Sequence, residues 1–218
     1  MQAKLETFYT KEEWLARRSS FIGGSDAACI LGANPWKSNQ RLWEEKTGRT
    51  APEDLGDNPL VLYGIRAESH LRELFRWDHP ELAVFYEENN MWTNEAVPFA
   101  HASLDGWLQD EQGRLGILEI KTATISGAAQ KAKWKDGVPQ NYYIQLLHYF
   151  MVTGFDFAIL KAQLKYELPD EELFIQTKHY RIERAEVEQE IEYLKEKEAE
   201  FYEHIINDTR PALILPEI

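Results

Sequence analysis

The sequence predicts one α/β (α+β) domain over residues 1–218, with a mixed central β-sheet flanked by helices. Three observations predict it. The length, 218 residues, suits one sizeable domain. Helical and strand-like segments follow in the order helices, a strand cluster, a helix, two strands and a final helix, which fits helices packed on a sheet. No internal repeat, low-complexity run or clear linker divides the chain.

Each element has a local signal. Thr10-Lys11-Glu12-Glu13 reads as a capping box that opens a helix through Arg18. Gly23-Gly24-Ser25-Asp26 breaks the chain before a second helix to Ile30, with Gly32 as its stop. Ser38 caps a third helix that ends before Gly48. Residues 49–58 are polar and read as a loop. Asn58-Pro59 is an N-cap followed by proline at the first helical position, and that helix should reach about Trp77. Short strands are expected at Ala83–Tyr86 and Met91–Thr93, and longer ones at Ala100–Leu108 and Gly116–Ala123. Pro139 begins a helix stopped by Gly154, and strands at Phe155–Leu164 and Phe174–Ile182 follow. A Glu-rich helix at about 185–206 closes the fold, with Val187, Ile191, Leu194, Phe201 and Ile205 as its apolar stripe.

Composition limits the function classes. No apolar run approaches the roughly 18 residues of a membrane span, so no membrane role is expected. Met1–Thr10 lacks the basic and apolar regions of a secretory signal. The lone Cys29, in an apolar stretch, reads as a small core residue, allows no intramolecular disulfide and fits a reducing cytoplasm. The net charge of −13 argues, as a sum, against a nucleic-acid partner. Its distribution argues otherwise. Glu183 to Glu203 holds nine Glu, whereas Lys121 to Lys135 holds four Lys and no acid.

The chemistry concentrates in a hairpin. With Glu111-Gln112-Gly113 as a three-residue loop, Asp110 pairs with Arg114, and counting back sets Asp105 opposite Glu119. Strand alternation puts Glu119 and Lys121 on one face and turns Ile120 away. Two carboxylates about 5 Å apart across a ladder repel by about 3 kcal/mol at an effective dielectric near 20. A hard divalent cation, Mg²⁺ or Mn²⁺, compensates, with the Ile120 carbonyl as a further ligand and Lys121 beside it. The plainer reading of Leu118 to Lys121 is an ordinary amphipathic strand.

Further residues support the first reading. Glu68 lies one turn after Gly64, which permits close approach to the sheet; it reads equally as a solvated glutamate. Tyr142, Gln145 and Tyr149 share a helix face, and a buried Gln145 needs a polar partner. Ser25, at a helix start, and Arg18 suit an anion, although Ser25 also reads as a simple cap. Lys131, Lys133 and Lys135, with Trp134 among them, suit a DNA backbone and a stacked end base, or form an exposed loop.

These residues, in this order, resemble the PD-(D/E)xK nuclease superfamily over about residues 10–165. More closely they resemble the lambda exonuclease group, also called YqaJ-type viral recombinases. Trp14 and Arg18 before Gly24-Ser25 are similar to its 5′-phosphate pocket. Tyr63-Gly64 through Glu68 looks like its Gly-x-x-x-Glu helix. Ser103-Leu104-Asp105-Gly106 and Glu119-Ile120-Lys121 match its metal site and lysine. Tyr142, Gln145 and Tyr149 resemble a motif shared with RecB-type nucleases. Each motif is weak alone; five in the right order are strong.

The resemblance implies a restriction-endonuclease-like core and two-metal hydrolysis. In that scheme Asp105, Glu119 and Ile120 bind Mg²⁺ (or Mn²⁺), Glu68 holds water or a second ion, and Lys121 activates water. Gln145 supports the site, and Arg18, Ser25 and Ser103 hold the terminal phosphate. It further implies 5′→3′ digestion of double-stranded DNA from its ends, leaving 3′ overhangs for a single-strand annealing protein. A homotrimeric ring around DNA and a phage or prophage source in a bacterial cytoplasm complete the expectation. An acidic chain then needs a locally basic lumen. A restriction or repair endonuclease on the same core and a catalytically idle DNA-end-binding protein are the alternatives. An iron–sulfur subclass is disfavoured, because one cysteine cannot supply four thiolates.

Overall fold

The computed structural model describes residues 3–215 apart from residue 136 and residues 168–172. The helices are α1 (Lys11–Ser19), α2 (Gly24–Ile30), α3 (Asn39–Lys46), α4 (Pro59–Asp78), α5 (Ala128–Lys133), α6 (Gln140–Thr153) and α7 (Glu188–Ile206). The strands are β1 (Lys4–Thr7), β2 (Ala83–Phe85), β3 (Asn90–Thr93), β4 (His101–Ala102), β5 (Gly106–Gln109), β6 (Leu115–Ile125), β7 (Phe157–Glu167) and β8 (Leu173–Glu183). They form a three-stranded sheet, β1-β3-β4, and a five-stranded sheet, β2-β5-β6-β7-β8. The larger sheet is mixed as expected, since β6 and β7 pair in parallel and the other pairs are antiparallel. A parallel pair needs a long crossover, and α5 with α6 supplies it.

Strand β6 lies between two layers. Its alternation sends Leu118 and Ile120 into one core with Leu71 and Phe75 of α4. Ile117, two residues before Glu119, belongs to the other core, which holds Leu146, Leu147 and Phe150 of α6. Helix α2 crosses α6 closely: a Cβ on Gly24 would stand 2.5 Å from the Tyr149 ring and 3.0 Å from Gln145. That contact explains the second glycine of Gly23-Gly24 better than any turn does.

Most helix ends fall where the caps place them. Thr10, Ser38 and Asn58 each accept backbone N–H groups at their helix starts. Gly154 ends α6 in the left-handed conformation. Four features differ from expectation. Strand β1 was not foreseen: Lys-Leu-Glu-Thr is short, and its partner β3 is distant in sequence. The basic segment forms α5 rather than a loop, in keeping with the helix preference of Ala, Gln and Lys. Gly23, not Ser25, is the N-cap of α2, and its N–H donates to Asp26 Oδ2 at 3.0 Å. The strand expected at Ala100–Leu108 is two strands in different sheets, separated by a bend at 103–105.

That bend is held by buried Asn90 of β3. Its Nδ2 donates to the Leu104 carbonyl and its Oδ1 accepts the Leu104 N–H, both at 2.9 Å. The side chain thus pairs like a strand where no strand continues. A second internal tie links α6 and α7. His148 and Glu198 are wholly buried and meet at 2.7 Å, and the other His148 nitrogen donates to the His101 carbonyl at 2.8 Å. Burial works to lower the His148 pKa. The charge and hydrogen bond of Glu198 outweigh it, so the pKa is raised.

Asn90→Ala leaves two buried backbone groups of Leu104 without partners and should cost about 2–4 kcal/mol in urea unfolding. A loss below 1 kcal/mol would show that the bend holds itself. Glu198→Ala should cost about 3–5 kcal/mol, as expected for stranding one member of a buried pair. The raised His148 pKa also sets a pH trend. Its contribution is complete below the ordinary value of 6.5 and is lost as pH rises through the folded value. The stability gap between wild type and Glu198→Gln should therefore narrow from pH 6 to pH 9; a widening gap contradicts this assignment.

Candidate functional site

The hairpin has the expected register. Gly106 pairs with Leu118 and Gln109 with Leu115, the Asp110 N–H donates to the Arg114 carbonyl, and Gly113 takes φ +79°. Extending that register by one residue sets Asp105 opposite Glu119. Asp105 itself lies on the bend, just outside β5. Its Oδ2 accepts the Ile120 N–H at 2.8 Å, so a carboxylate replaces the missing strand carbonyl. An extended residue presents its N–H and C=O on the same side. The Ile120 carbonyl therefore also emerges beside Asp105, not toward β7.

Glu119 is 2% exposed. Its Oε1 meets Lys121 Nζ at 2.6 Å and accepts Gln145 Nε2 at 2.9 Å. Its Oε2 is buried with no hydrogen-bond partner. Burial first, and the Glu119 charge second, push the Asp105 carboxyl up to about 7. Burial likewise raises Glu119, against the pull of Lys121. Burial opposes the Lys121 charge, yet Glu119 and Asp105 hold its pKa above the ordinary lysine value. A half-buried and a buried carboxyl thus face each other, and only a proton or a cation can relieve them. Asp105, the unpartnered Glu119 oxygen and the Ile120 carbonyl form a hard-oxygen set that fits a divalent cation. Among the described residues, no three His, Cys, Asp or Glu side chains stand together as metal ligands, so the backbone carbonyl is needed to complete this set.

Neighbours fix these groups. Gln145, buried on α6, spends one N–H on Glu119 and donates to the Tyr149 hydroxyl at 2.7 Å. Tyr149 therefore belongs to the site as well as to the core. The Lys121 ammonium lies 4.9 Å from the Tyr142 ring centre. Gly64 sits against Thr122 of β6, with 3.4 Å from its would-be Cβ to the hydroxyl, so α4 approaches the sheet as expected. Glu68 is held at 3.0 Å by Arg72. Burial and then the Asp105 charge raise its pKa, which places it in the electrostatic reach of the pair. Arg72 also donates to the Asp105 carbonyl and lies 3.5 Å from the Tyr86 ring centre.

A second cluster approaches from α1 and α2. The Arg18 guanidinium lies over Trp14 at 4.1 Å. Burial lowers its pKa, while Tyr149, Asp26 and Asp105 pull it upward, so it lies within the electrostatic reach of Asp105. Trp14 is tied to the Asn90 carbonyl at 2.9 Å, which links Arg18 to the residue holding the bend. Ser103 Oγ is buried without a partner. Ser25 is exposed on the first turn of α2. A bridge between Ile22 and Ala100 ties the α2 entry to the chain just before β4.

The basic segment divides. Lys131, Lys133 and Lys135 are exposed. Trp134 is 4% exposed, packs on Tyr142 and Tyr180, and accepts from Lys178 and Tyr180 through its carbonyl. It is a core residue and cannot stack on an end base. Sequence reasoning missed Asn90 and Arg72, which position Asp105. No local signal marks Asn90. Arg72, one helical turn after Glu68, offered an i,i+4 pair that could have been noticed.

No helix among the described residues is long and apolar enough to cross a membrane. The model of the YqaJ-like viral recombinase domain matches residues 13–156. The chain is 30% identical over 152 residues to the uncharacterized protein YqaJ of Bacillus subtilis (strain 168). That match covers 66% of this chain and 43% of the relative, so the chain spans less than half of its length. An alkaline exonuclease from Laribacter hongkongensis has the same fold, with TM-score 0.62, 21% identity and coverage of 90% of this chain and 95% of that one. A phage-related exonuclease from Haemophilus somnus 129PT aligns with TM-score 0.56 and 16% identity, over 86% of this chain and 96% of that one. The fold is thus the restriction-endonuclease-like one, with its mixed sheet between helices. Arg18, Glu68, Asp105, Glu119, Lys121 and Gln145 all fall inside the matched region, and the chain belongs to the YqaJ-like viral recombinase domain family.

Proposed function

We propose that the protein is a metal-dependent deoxyribonuclease that digests double-stranded DNA 5′→3′ from its ends and leaves 3′ overhangs for strand annealing. The observation that carries this reading is the opposed pair of half-buried Asp105 and buried Glu119, with Lys121 Nζ 2.6 Å from Glu119. The names of the solved relatives, both exonucleases, support it. Asp105, Glu119 and the Ile120 carbonyl would hold Mg²⁺, with Mn²⁺ as a substitute and Glu68 near a second ion. A divalent ion there supplies charge neutralisation and polarises a phosphoryl oxygen.

The chain's own residues do the rest. Lys121, with its raised pKa, is a cation at neutral pH. In this arrangement it orients water and offsets phosphoryl charge by donating, not by taking a proton. Gln145 fixes the Glu119 rotamer, and Arg72 fixes the Asp105 backbone. Arg18 and the unpartnered Ser103 hydroxyl suit a terminal phosphate, and exposed Ser25 on the first turn of α2 is a further candidate for it. Lys131, Lys133 and Lys135 supply exposed positive charge for the DNA backbone. The partners of this reading are duplex ends, a single-strand annealing protein and further copies of the chain in a trimer. Its setting is the cytoplasm of a bacterial cell carrying the phage or prophage.

The deciding assay compares linear duplexes with 5′-phosphate and 5′-hydroxyl ends and a closed circle, with and without Mg²⁺. The phosphorylated linear duplex should shorten fastest and the circle should survive; a cut circle favours an endonuclease. Lys121→Ala should slow hydrolysis by about 10²–10³-fold, the scale of losing one well-placed charged donor. Unchanged hydrolysis in that variant removes Lys121 from the mechanism. The Asp105 value of about 7 gives a pH test. The metal needs the ionised carboxylate, so Mg²⁺ affinity should fall by up to about tenfold per pH unit below 7 and level off above pH 8. Flat affinity by calorimetry between pH 5.5 and 8 rules out Asp105 as the titrating ligand.

A further inference from the structure

Beside the site lies a groove of about 880 Å³, lined among others by the end of β6, by Tyr142 and by the loop before α3. Tyr142 also lies 4.9 Å from the Lys121 ammonium, so the groove borders the reaction centre. Its lining carries four cations, Lys37, Arg41, Lys133 and Lys165, against two carboxylates, Glu45 and Glu53. In a chain of net charge −13 this is a local reversal of sign. Lys37 and Arg41 share Glu45, and Lys133 and Lys165 outnumber the remaining Glu53.

Trp36 lines the same groove and is 76% exposed. An indole in water forgoes a large burial energy. The turn that presents it is well made: Asn34 Oδ1 accepts the N–H groups of Trp36 at 2.8 Å and Lys37 at 3.0 Å. The ring is thus held outward on a fixed turn. An exposed aromatic face above a positive groove is the arrangement that takes unpaired nucleic acid, with bases stacking on the ring and phosphates meeting the lysines. The groove has the volume of a pocket for a drug-sized ligand, too small for a duplex.

We propose that this groove seats an unpaired DNA strand running from the Lys121 site, with Trp36 as the platform for one base. The inference deepens the nuclease reading and rests on it for the identity of the polymer. It replaces Trp134, which is buried, as the stacking residue.

The test is anisotropy binding in EDTA, so that no strand is cut, using the full chain. The probes are a blunt duplex and the same duplex with an unpaired tail. Trp36→Ala should weaken binding of the tailed duplex by about 5- to 100-fold, the range of one lost base stack. Trp36→Phe should recover most of that loss, and blunt-duplex binding should stay within twofold. Lys133→Ala should lower the salt slope of tail binding by about one. A tailed-duplex affinity within twofold of wild type in Trp36→Ala overturns the proposal, as does an equal loss for both probes, which marks a duplex contact instead. Hydrolysis by wild type is scored separately with Mg²⁺. Tail binding that depends on Trp36 without hydrolysis sinks the nuclease reading alone; hydrolysis without that dependence sinks the groove alone.

Discussion

Two carboxyl groups opposed across a hairpin, one half-buried and one buried, set the terms for the rest of this structure. Asp105 and Glu119 cannot both be ionised there without a counter-charge, and burial removes the water that would otherwise screen them. Left to itself, such a pair would splay apart or stay neutral. The fold prevents the first outcome. Asn90 grips the bend before Asp105, Arg72 holds the Asp105 carbonyl, the Ile120 N–H holds its carboxylate, and Gln145 holds Glu119. These contacts come from β3, α4, β6 and α6, so four separate elements converge to keep an unfavourable contact in place. Such convergence holds in place a contact that filling a core does not require.

The part of this arrangement legible in sequence was the part governed by short-range geometry. A loop of known length with Gly113 in the left-handed region fixes a register, and a period of two fixes which side chains share a face. Helix starts followed their caps for the same reason. What escaped depended on partners far along the chain. Asn90 is fourteen residues from Leu104 and carries no local mark. The bend that splits β4 from β5 follows from that contact, so an unbroken strand was the natural expectation. Trp134, flanked by lysines, has the composition of a surface segment. Only the packing of Tyr142 and Tyr180 against it reveals a core residue, and Trp36 at the groove could not be ranked above it from sequence.

Charge gives the same lesson at larger scale. The sum of −13 is a poor guide because the acids and bases are sorted by position. Much of the acid lies on the outer face of α7, while α5 and the groove carry lysines. Local potential near a bound polyanion depends on the nearest charges within about a Debye length of 8–10 Å. A cationic groove therefore retains its attraction within an acidic chain.

The C-terminal helix is more than a solvated acidic surface. It lies outside the family match, which ends at residue 156, yet its stripe Ile191, Leu194 and Phe201 is buried and Glu198 sits on the same face. Glu198 holds His148, and His148 is one helical turn from Gln145 on α6. Buried ion pairs add little net stability compared with apolar packing, but they resist sliding because a shifted charge is left unpaired. An apolar stripe alone would let α6 rotate slightly against α7 at small cost. The His148–Glu198 pair, with its further bond to the His101 carbonyl, fixes that rotation. Gln145 then points at Glu119 in one orientation. Strand β7, also wholly beyond the match, does the same for β6 by pairing it from Gly116 to Ile125. The segments outside the family match thus act on the carboxyl pair at one remove, by fixing the two elements that carry Glu119 and its partner.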